Sequence, residues 1–208
     1  MEVKQITRTN STRSNMQTVA LIPCTNQKSE NPGPAREVWV GHHFQTMLMH
    51  AEEFYDVTYI MSFKYGLITP DQHIEPYDTN IHKEPLVEQI KWRRMLTKQL
   101  IELCMDPPHV VGIYVGKADA DWIEDFLFRN GVVHVIQPWR GMGIGDRIQA
   151  CFEATNPFEV DGVDVREVAT RMTSEQYKMN REHWRLIWRQ RTGVDAPKEA
   201  TDDEDIDA

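Results

Sequence analysis

The stretch Thr18-Val19-Ala20-Leu21-Ile22-Pro23-Cys24-Thr25-Asn26-Gln27-Lys28 joins a short apolar run to a polar loop. A run of β-branched and apolar residues that is closed by proline predicts a buried strand. The same layout returns at Val57–Met61, where an apolar run again leads into a polar segment. If the two runs are neighbouring strands of a parallel sheet, their loops meet at the edge where open α/β sheets bind ligands. The polar residues brought to that edge are Cys24, Lys28, Ser62 and Lys64.

Strands and helices alternate along the rest of the chain. Further apolar runs at Val110–Val115 and Val132–Ile136 predict two more strands. Apolar periodicity predicts helices at Gly41–Phe54, Glu84–Met105, Asp121–Arg129 and Ile144–Phe152, and the segment Lys64–Asp78 is predicted to be a loop. Strands separated by helices favour right-handed crossovers. The sequence therefore predicts one Rossmann-like, three-layer α/β domain with a mostly parallel central sheet.

Composition predicts where this domain begins and ends. We expect a disordered N-terminal segment at 1–16, the α/β domain at 17–172, a basic-aromatic helix at 173–193 and a disordered acidic tail at 194–208. The chain has 208 residues, enough for one substantial core, and a net charge of -9. Much of that charge lies in the tail, so the formal charge leaves nucleic acid open as a partner.

Several classes of protein are disfavoured by the sequence. No apolar stretch reaches the roughly 18 residues of a membrane span, and the first 16 residues lack a signal-peptide core. We therefore expect a cytoplasmic protein without a membrane partner. Cys24, Cys104 and Cys151 are too scattered for a disulfide framework, and the pair His42-His43 has no third ligand at metal spacing. No metal is expected, and the sequence identifies no cofactor.

The polar residues after the first two strands are the candidate catalytic groups. Cys24 is a candidate nucleophile if Lys28 or a helix end lowers its pKa, although a lone cysteine after a strand is more often a small packed residue. A carboxylate in the Glu75-Pro76-Tyr77-Asp78 segment is suited to accept a proton or to orient a base, unless it only caps a turn. The candidate catalytic residues are Cys24, Lys28, Lys64, Glu75 and Asp78.

The candidate substrate-binding residues are cations, rings and turn glycines. Lys28, Arg36 and Lys64 have the charge to bind phosphate or carboxylate, or they only solvate loops. Tyr65 and Tyr77 are placed to stack on a base, although half-buried tyrosines are common at sheet edges. The turn Gly141-Met142-Gly143-Ile144-Gly145 opens a helix, so its amides either hold an anion or only allow tight packing. The candidate binding residues are Arg36, Ser62, Tyr65, Tyr77, Arg140, Gly143, Gly145 and Arg147.

A basic stripe marks the predicted C-terminal helix. Arg181, Arg185 and Arg189 recur every four residues, with Trp184 and Trp188 on a neighbouring stripe. Basic and aromatic residues in this pattern suit nucleic-acid contact. The alternative is that the tryptophans anchor the helix while the arginines face water. The helix is also a candidate surface for a protein partner.

The order of these motifs resembles an uncharacterised domain family that is frequent in phages, archaeal viruses and bacteria. The resemblance spans roughly Val19 to Phe152 and names no reaction. The motifs that carry it are Cys24-Thr25-x-x-Lys28, Pro34-Ala35-Arg36-Glu37, Ser62-x-Lys64-Tyr65-Gly66-Leu67-Ile68-x-Pro70, Ile74-Glu75-Pro76-Tyr77-Asp78 and Gly143-Ile144-Gly145.

A weaker likeness is to the catalytic core of archaeosine synthase and to related domains of tRNA-guanine transglycosylases. Their Cys-Ser-x-x-Lys turn is similar to Cys24-Thr25-x-x-Lys28, with Thr25 in place of serine. This likeness implies chemistry on a modified base, of deazaguanine type, in DNA or tRNA. The expected function is therefore a base- or nucleoside-modifying enzyme, transferase or lyase-like, and a viral accessory protein is one setting for it. The alternatives are a non-catalytic nucleotide- or nucleic-acid-binding module and an accessory protein that docks a modification enzyme.

Overall fold

The computed structural model describes residues 17–105, 107–132, 134–160 and 162–167. In chain order, its strands are β1 (Thr18–Pro23), β2 (Gly33–Pro34), β3 (Val57–Ser62), β4 (Gly66–Ile68), β5 (His73–Ile74), β6 (Val110–Ile113), β7 (His134–Ile136), β8 (Glu159–Val160) and β9 (Val163–Asp164). Its helices are α1 (Ala35–Val38), α2 (His42–Phe54), α3 (Leu86–Cys104), α4 (Lys117–Arg129) and α5 (Ile144–Phe152), with a 3-10 turn at Ile81–Lys83. The fold is mixed α/β, as predicted.

The main sheet has five strands in the order β4-β3-β1-β6-β7. β1 lies in the middle, parallel to β3 on one side and to β6 on the other, and β7 is parallel to β6. Only β4 is antiparallel, because it returns along β3 directly after a tight turn. The prediction of a mostly parallel sheet is confirmed. The carboxyl ends of β1, β3, β6 and β7 consequently share one edge.

Alternate residues of β1 enter two different hydrophobic clusters. Ala20 and Ile22 pack with residues of α2 and α5, whereas Val19 and Leu21 pack with residues of α3 and α4. All four of these side chains are fully buried. An apolar run buried on both faces is typical of a central strand in a parallel sheet, because helices cover both of its sides. β1 is therefore fixed in register, and the loop after it is fixed with it.

The segment after β3 departs from the prediction of a loop from Lys64 to Asp78. It contains β4 and also β5, which pairs antiparallel with β2. Gly66 allows the sharp return, since its φ of 72° lies in the left-handed region. Strands of two or three residues are too short to show an alternating pattern, which is why the sequence did not indicate them.

The predicted N-terminal segment at 1–16, the C-terminal helix at 173–193 and the acidic tail at 194–208 lie outside the described residues. Arg181, Arg185 and Arg189 lie there too, so their predicted role in nucleic-acid binding stays a prediction. None of the described helices is both long and apolar enough to cross a membrane.

Candidate functional site at the carboxyl edge of the sheet

Ser62 ends β3 and shapes the turn that follows it. Its side chain is fully buried, and its Oγ accepts the backbone N–H groups of Lys64 at 3.2 Å and Tyr65 at 3.1 Å. Tyr77 Oη lies 2.8 Å from the same oxygen. Because the two amides use both lone pairs of Oγ, the Ser62 hydroxyl is left to donate its proton to Tyr77. Ser62 is therefore bonded within the site rather than free to meet a ligand.

Tyr77 links the Ser62 hydroxyl to the Cys24 thiol. Its Oη also accepts the Phe63 N–H at 3.1 Å, and its side chain is hydrogen-bonded to the Cys24 thiol. Burial raises the pKa of Tyr77 well above its usual range, so the phenol keeps its proton. Having accepted from both Ser62 and Phe63, the phenol donates to the sulfur. The three side chains form a directed series from Ser62 through Tyr77 to Cys24.

The surroundings of the Cys24 sulfur contain one factor that opposes its ionisation and several that favour it. Burial raises the pKa of the Cys24 thiol. Hydrogen bonds from Tyr77 and from the Phe63 backbone, together with the charge of Lys28, lower it in part. The Cys24 N–H bonds the Met61 carbonyl at 3.2 Å and so fixes the loop against β3. The resting sulfur is a protonated thiol surrounded by donors.

Two lysines from different loops converge on the tyrosine rings. Lys28 Nζ lies 4.9 Å from the centre of the Tyr77 ring. Lys64 Nζ lies 5.0 Å from the centre of the Tyr65 ring and 6.0 Å from that of Tyr77. Within the part of the chain that the structure describes, neither ammonium forms an ion pair with a carboxylate. The site therefore carries two positive charges beside a thiol and two aromatic rings.

Tyr65 and the two candidate carboxylates line the outer side of this cluster. The Tyr65 hydroxyl donates to the Glu75 carbonyl at 3.2 Å, and its ring meets the Tyr77 ring edge-on at 5.8 Å. The Glu75 and Asp78 side chains are exposed, and among the described residues no hydrogen bond involves either carboxylate. Their backbone path is set by the tyrosines, whereas their carboxylates face water.

Arg36 lies at the start of α1 with its guanidinium between two carboxylates. Its Nε donates to Asp71 at 2.8 Å and its Nη2 to Glu52 at 3.0 Å. The Asp71 hydrogen bond is the main reason that the pKa of Arg36 is raised. The Arg36 N–H also bonds the Pro70 carbonyl at 2.9 Å. These contacts tie α1 to the loop after β4 and use the binding capacity of the guanidinium.

The glycine-rich turn lies at the same edge beyond β7, with Gly143 directly before α5. Arg140 lies 3.6 Å from an Asp121 carboxylate oxygen and 3.8 Å from one of Glu124, both on α4. Arg147 donates to the Met142 carbonyl at 3.1 Å. No described contact joins these residues or Gly145 to the group around Cys24 and Tyr77.

Sequence reasoning missed two residues at this edge as functional candidates. Asp119 lies in the first turn of α4, which begins directly after Gly116. The Asp119 carboxylate is buried and lies 3.1 Å from His82 Nε2, in the 3-10 turn. No pattern in the sequence links these two positions, because they meet only through the fold. In the described ranges, no group of three or more His, Cys, Asp or Glu side chains could hold a metal ion.

The sheet and its polar edge define a mixed α/β domain whose parallel strands end at an open, cationic and aromatic surface. The chain belongs to the family described as "Family of unknown function (DUF6884)", which matches residues 19–152. The prediction of an uncharacterised family over this span is confirmed. Its distribution in phages and archaeal viruses and the likeness to archaeosine synthase stay predictions. No curated protein and no solved structure matches the chain.

Proposed function

We propose that the protein is a nucleic-acid base or nucleoside modification enzyme that binds its substrate at the carboxyl edge of the sheet. In this proposal the sheet is the middle of a Rossmann-like, three-layer domain. In the sheet, β3 lies on one side of β1 and β6 lies on the other, so the strand order reverses at β1. Ligands bind at the carboxyl edge of open α/β sheets at such a point. Following the sequence likeness, we propose that the modified base is of deazaguanine type.

One observation carries the proposal. Lys28 and Lys64 approach the same Tyr77 ring, and the hydroxyl of that tyrosine is hydrogen-bonded to the Cys24 thiol. The two ammonium groups supply charge for a phosphate, and the Tyr65 and Tyr77 rings supply surface for a base. Glu75 and Asp78 are the candidate groups for moving a proton or orienting the base. A thiol, two cations and two rings are groups that such chemistry can use.

Cys24 is the proposed nucleophile. The Tyr77 hydroxyl and the Phe63 N–H lie near the sulfur, and both stabilise the thiolate once the proton leaves. Phosphate bound at Lys28 and Lys64 would offset their positive charges and so remove part of what stabilises the thiolate. Loss of the thiol proton must therefore be coupled to a base on the enzyme or the substrate.

The test combines binding with turnover. The purified protein is incubated with nucleotides, modified bases and short DNA or RNA, and melting temperatures and product nucleoside masses are measured. We expect a ligand-induced rise in melting temperature that Lys28→Met and Lys64→Met each remove, and a mass change that Cys24→Ser removes. Lys98→Met is the matched control, since Lys98 is an exposed lysine on α3. Unchanged binding and turnover in folded Lys28→Met and Lys64→Met variants would refute the proposal.

A second candidate is a non-catalytic module that binds a nucleotide or nucleic acid at the same edge. The observation that favours it is the burial of Cys24, which raises the thiol pKa and keeps the sulfur protonated. Under this alternative the lysine variants lose binding, and no product mass is found with any substrate in the panel. Docking of a modification enzyme through the C-terminal helix is a further proposal, which deletion of residues 173–208 would test by a binding assay.

A further inference from the structure

A cavity of about 520 Å³ opens next to the cluster of Cys24 and Tyr77, on the side of β3 that faces α3. Its volume lies in the range of pockets that hold small ligands. Its wall combines aromatic, thioether and charged side chains. These lining residues include Phe63, Lys64, Glu84, Lys91, Trp92 and Met95.

The cavity and the cluster share two neighbouring residues. Phe63 lines the cavity, and its backbone N–H donates to Tyr77 Oη at 3.1 Å. Lys64 lines it too, and its ammonium lies 5.0 Å from the Tyr65 ring centre. Lys91 is paired with Glu88 at 2.7 Å, whereas no described carboxylate pairs with Lys64. A ligand in the cavity would consequently meet the positive charge of Lys64 at the boundary with Cys24.

His82 does not itself line the cavity, but it packs against two residues of the cavity wall and is held by a buried carboxylate. Its ring lies edge-on to Phe63 at 5.3 Å and 6.4 Å from Trp92, two residues of the cavity wall. Its Nε2 lies 3.1 Å from Asp119 Oδ2, and the Asp119 side chain is only 6% exposed. The other carboxylate oxygen accepts the Trp122 indole N–H at 3.4 Å. The carboxylate thereby fixes the plane and direction of the imidazole.

The contact with Asp119 also determines which imidazole nitrogen is free. An ionised carboxylate only accepts hydrogen bonds, so His82 carries a proton on Nε2. In the neutral ring Nδ1 is then an acceptor, and no described residue bonds to it. The His82 side chain is 47% exposed, so a ligand can reach it. The pair presents one oriented acceptor next to two aromatic residues of the cavity wall.

We propose that this cavity is the nucleobase subsite, and that a ring N–H or amino group of the base donates to His82 Nδ1. The base lies against the Phe63 ring, which packs edge-on against the buried Trp92 ring at 5.7 Å, and Lys64 meets the phosphate of the same nucleotide. The ligand class is a nucleoside monophosphate unit, free or at the end of a strand. The inference rests on the proposed function for the phosphate-binding lysine, and it places the base on the α3 side of β3 instead of on the Tyr65 and Tyr77 rings.

A purely structural role for the pair makes a different prediction. If the contact only ties the 3-10 turn to α4, any side chain that donates to Asp119 can replace His82. Glutamine is such a side chain, since its amide nitrogen can take the place of His82 Nε2 while it offers no acceptor where Nδ1 lies. His82→Gln consequently separates the tie from the acceptor, and His82→Ala removes both.

The experiment titrates the full chain calorimetrically with GMP, AMP, CMP and UMP, and records melting temperatures. We expect at least one nucleotide to bind, and His82→Gln to weaken it about tenfold with an unchanged melting temperature. His73→Gln, at an exposed histidine of β5, is the matched control and keeps wild-type affinity. If His82→Gln does not fold, the ¹⁵N signal of His82 Nδ1 in the wild-type protein decides, since it shifts on nucleotide addition only if Nδ1 receives the hydrogen bond.

The outcomes separate the inference from the proposed function. Equal affinity in the wild type and His82→Gln, with binding lost in Lys64→Met, overturns the base subsite and leaves the proposed function standing. Absence of binding by all four nucleotides overturns the subsite as well. The proposed function then falls only if turnover of the nucleic-acid and nucleoside panel is also absent.

Discussion

The turn after β3 and the glycine-rich turn before α5 both follow parallel strands at one edge of the sheet, yet they are bonded very differently. The β3 turn is built around the buried Ser62 hydroxyl, which contacts two amides and a phenol. At the glycine-rich turn, Arg140 points to carboxylates of α4, and Gly145 has open space where a side chain would be. The comparison shows that a cluster of suggestive residue types becomes an organised site only where buried polar groups fix each other.

The two turns also differ in what their glycines do. An added Cβ at Gly66 would lie 1.9 Å from Gln99 Oε1, which itself accepts the Leu67 N–H at 2.8 Å. Gly66 is therefore required by a close approach and by its positive φ of 72°. Gly145 lies in α5, and apart from its chain neighbours and the backbone of its own helix, no atom lies within 4 Å of an added Cβ. The glycine-rich sequence is consequently not needed for packing at that position.

The largest effect should come from exchanging these two glycines for alanine. Gly66→Ala should lower the free energy of unfolding by about 2–4 kcal/mol, because it adds left-handed strain to a clash with Gln99. Gly145→Ala should raise it by about 0.5–1 kcal/mol, since alanine favours a helix. Chemical denaturation of both variants measures the difference. Equal effects of the same sign would show that the two turns are equally constrained.

Removing the Tyr77 hydroxyl should have the next largest effect. Tyr77→Phe leaves the Ser62 hydroxyl and the Phe63 N–H without their partner, which should cost about 1–2 kcal/mol of stability. Tyr65→Phe is the matched control, because within the described residues the hydroxyl of Tyr65 has a single hydrogen bond, an exposed one to the Glu75 carbonyl at 3.2 Å. We expect that control to change stability by less than about 0.5 kcal/mol. A Tyr77→Phe variant as stable as Tyr65→Phe would contradict the directed series from Ser62 to Cys24.

The strands and helices of the main sheet could be predicted because their signal is local. The run Val19–Ile22 is apolar on both faces, and helix α5 was predicted with its observed bounds, Ile144–Phe152. The convergence of Cys24 with Lys28 and Lys64 followed from parallel neighbouring strands. Nothing local indicated β4 and β5, which depend on Gly66 and on partners elsewhere in the chain.

The hydrogen-bond pattern of the site could not be predicted, because it depends on burial and on distant contacts. The sequence suggested Arg36 as an anion ligand, but it gave no sign that Asp71 and Glu52 would lie on both sides of its guanidinium. The contact of His82 with Asp119 joins a 3-10 turn to a helix start across the fold. Residue types and spacing therefore indicated which polar residues meet at this edge of the sheet, and only the tertiary structure assigned their hydrogen-bond partners.

Cys24, which contacts the β3 turn, and Cys151, on the helix after the glycine-rich turn, should differ in alkylation rate by more than about tenfold. Burial raises the pKa of Cys151, on α5, to about 12 with no offsetting partner, whereas donors and Lys28 partly offset the rise at Cys24. The thiolate is the reactive form, so both alkylation rates should rise with pH, and Cys24 should react first. Iodoacetamide labelling from about pH 8 to about pH 10, followed by peptide mass spectrometry, gives the order.

The sign of the linked stability follows from the same raised values. A thiol whose pKa is raised by folding stabilises the folded state below its ordinary pKa of about 8.5. That contribution is lost as the pH rises through the folded-state value, which is about 12 for Cys151. Melting temperatures should consequently fall above about pH 8.5, and less steeply in Cys151→Ala. Labelling of Cys151 before Cys24 would contradict the difference drawn between the two regions.

The smallest effects should come from the arginines of the glycine-rich turn. Arg140 and Arg147 have exposed contacts, so alanine at either position should change stability by less than about 0.5 kcal/mol. Nucleotide affinity should also stay within about twofold of the wild type, in contrast to Lys64→Met. The measurement is the same calorimetric titration. A loss of affinity in Arg147→Ala as large as that in Lys64→Met would instead place the phosphate at the start of α5, where backbone N–H groups and the helix dipole favour an anion.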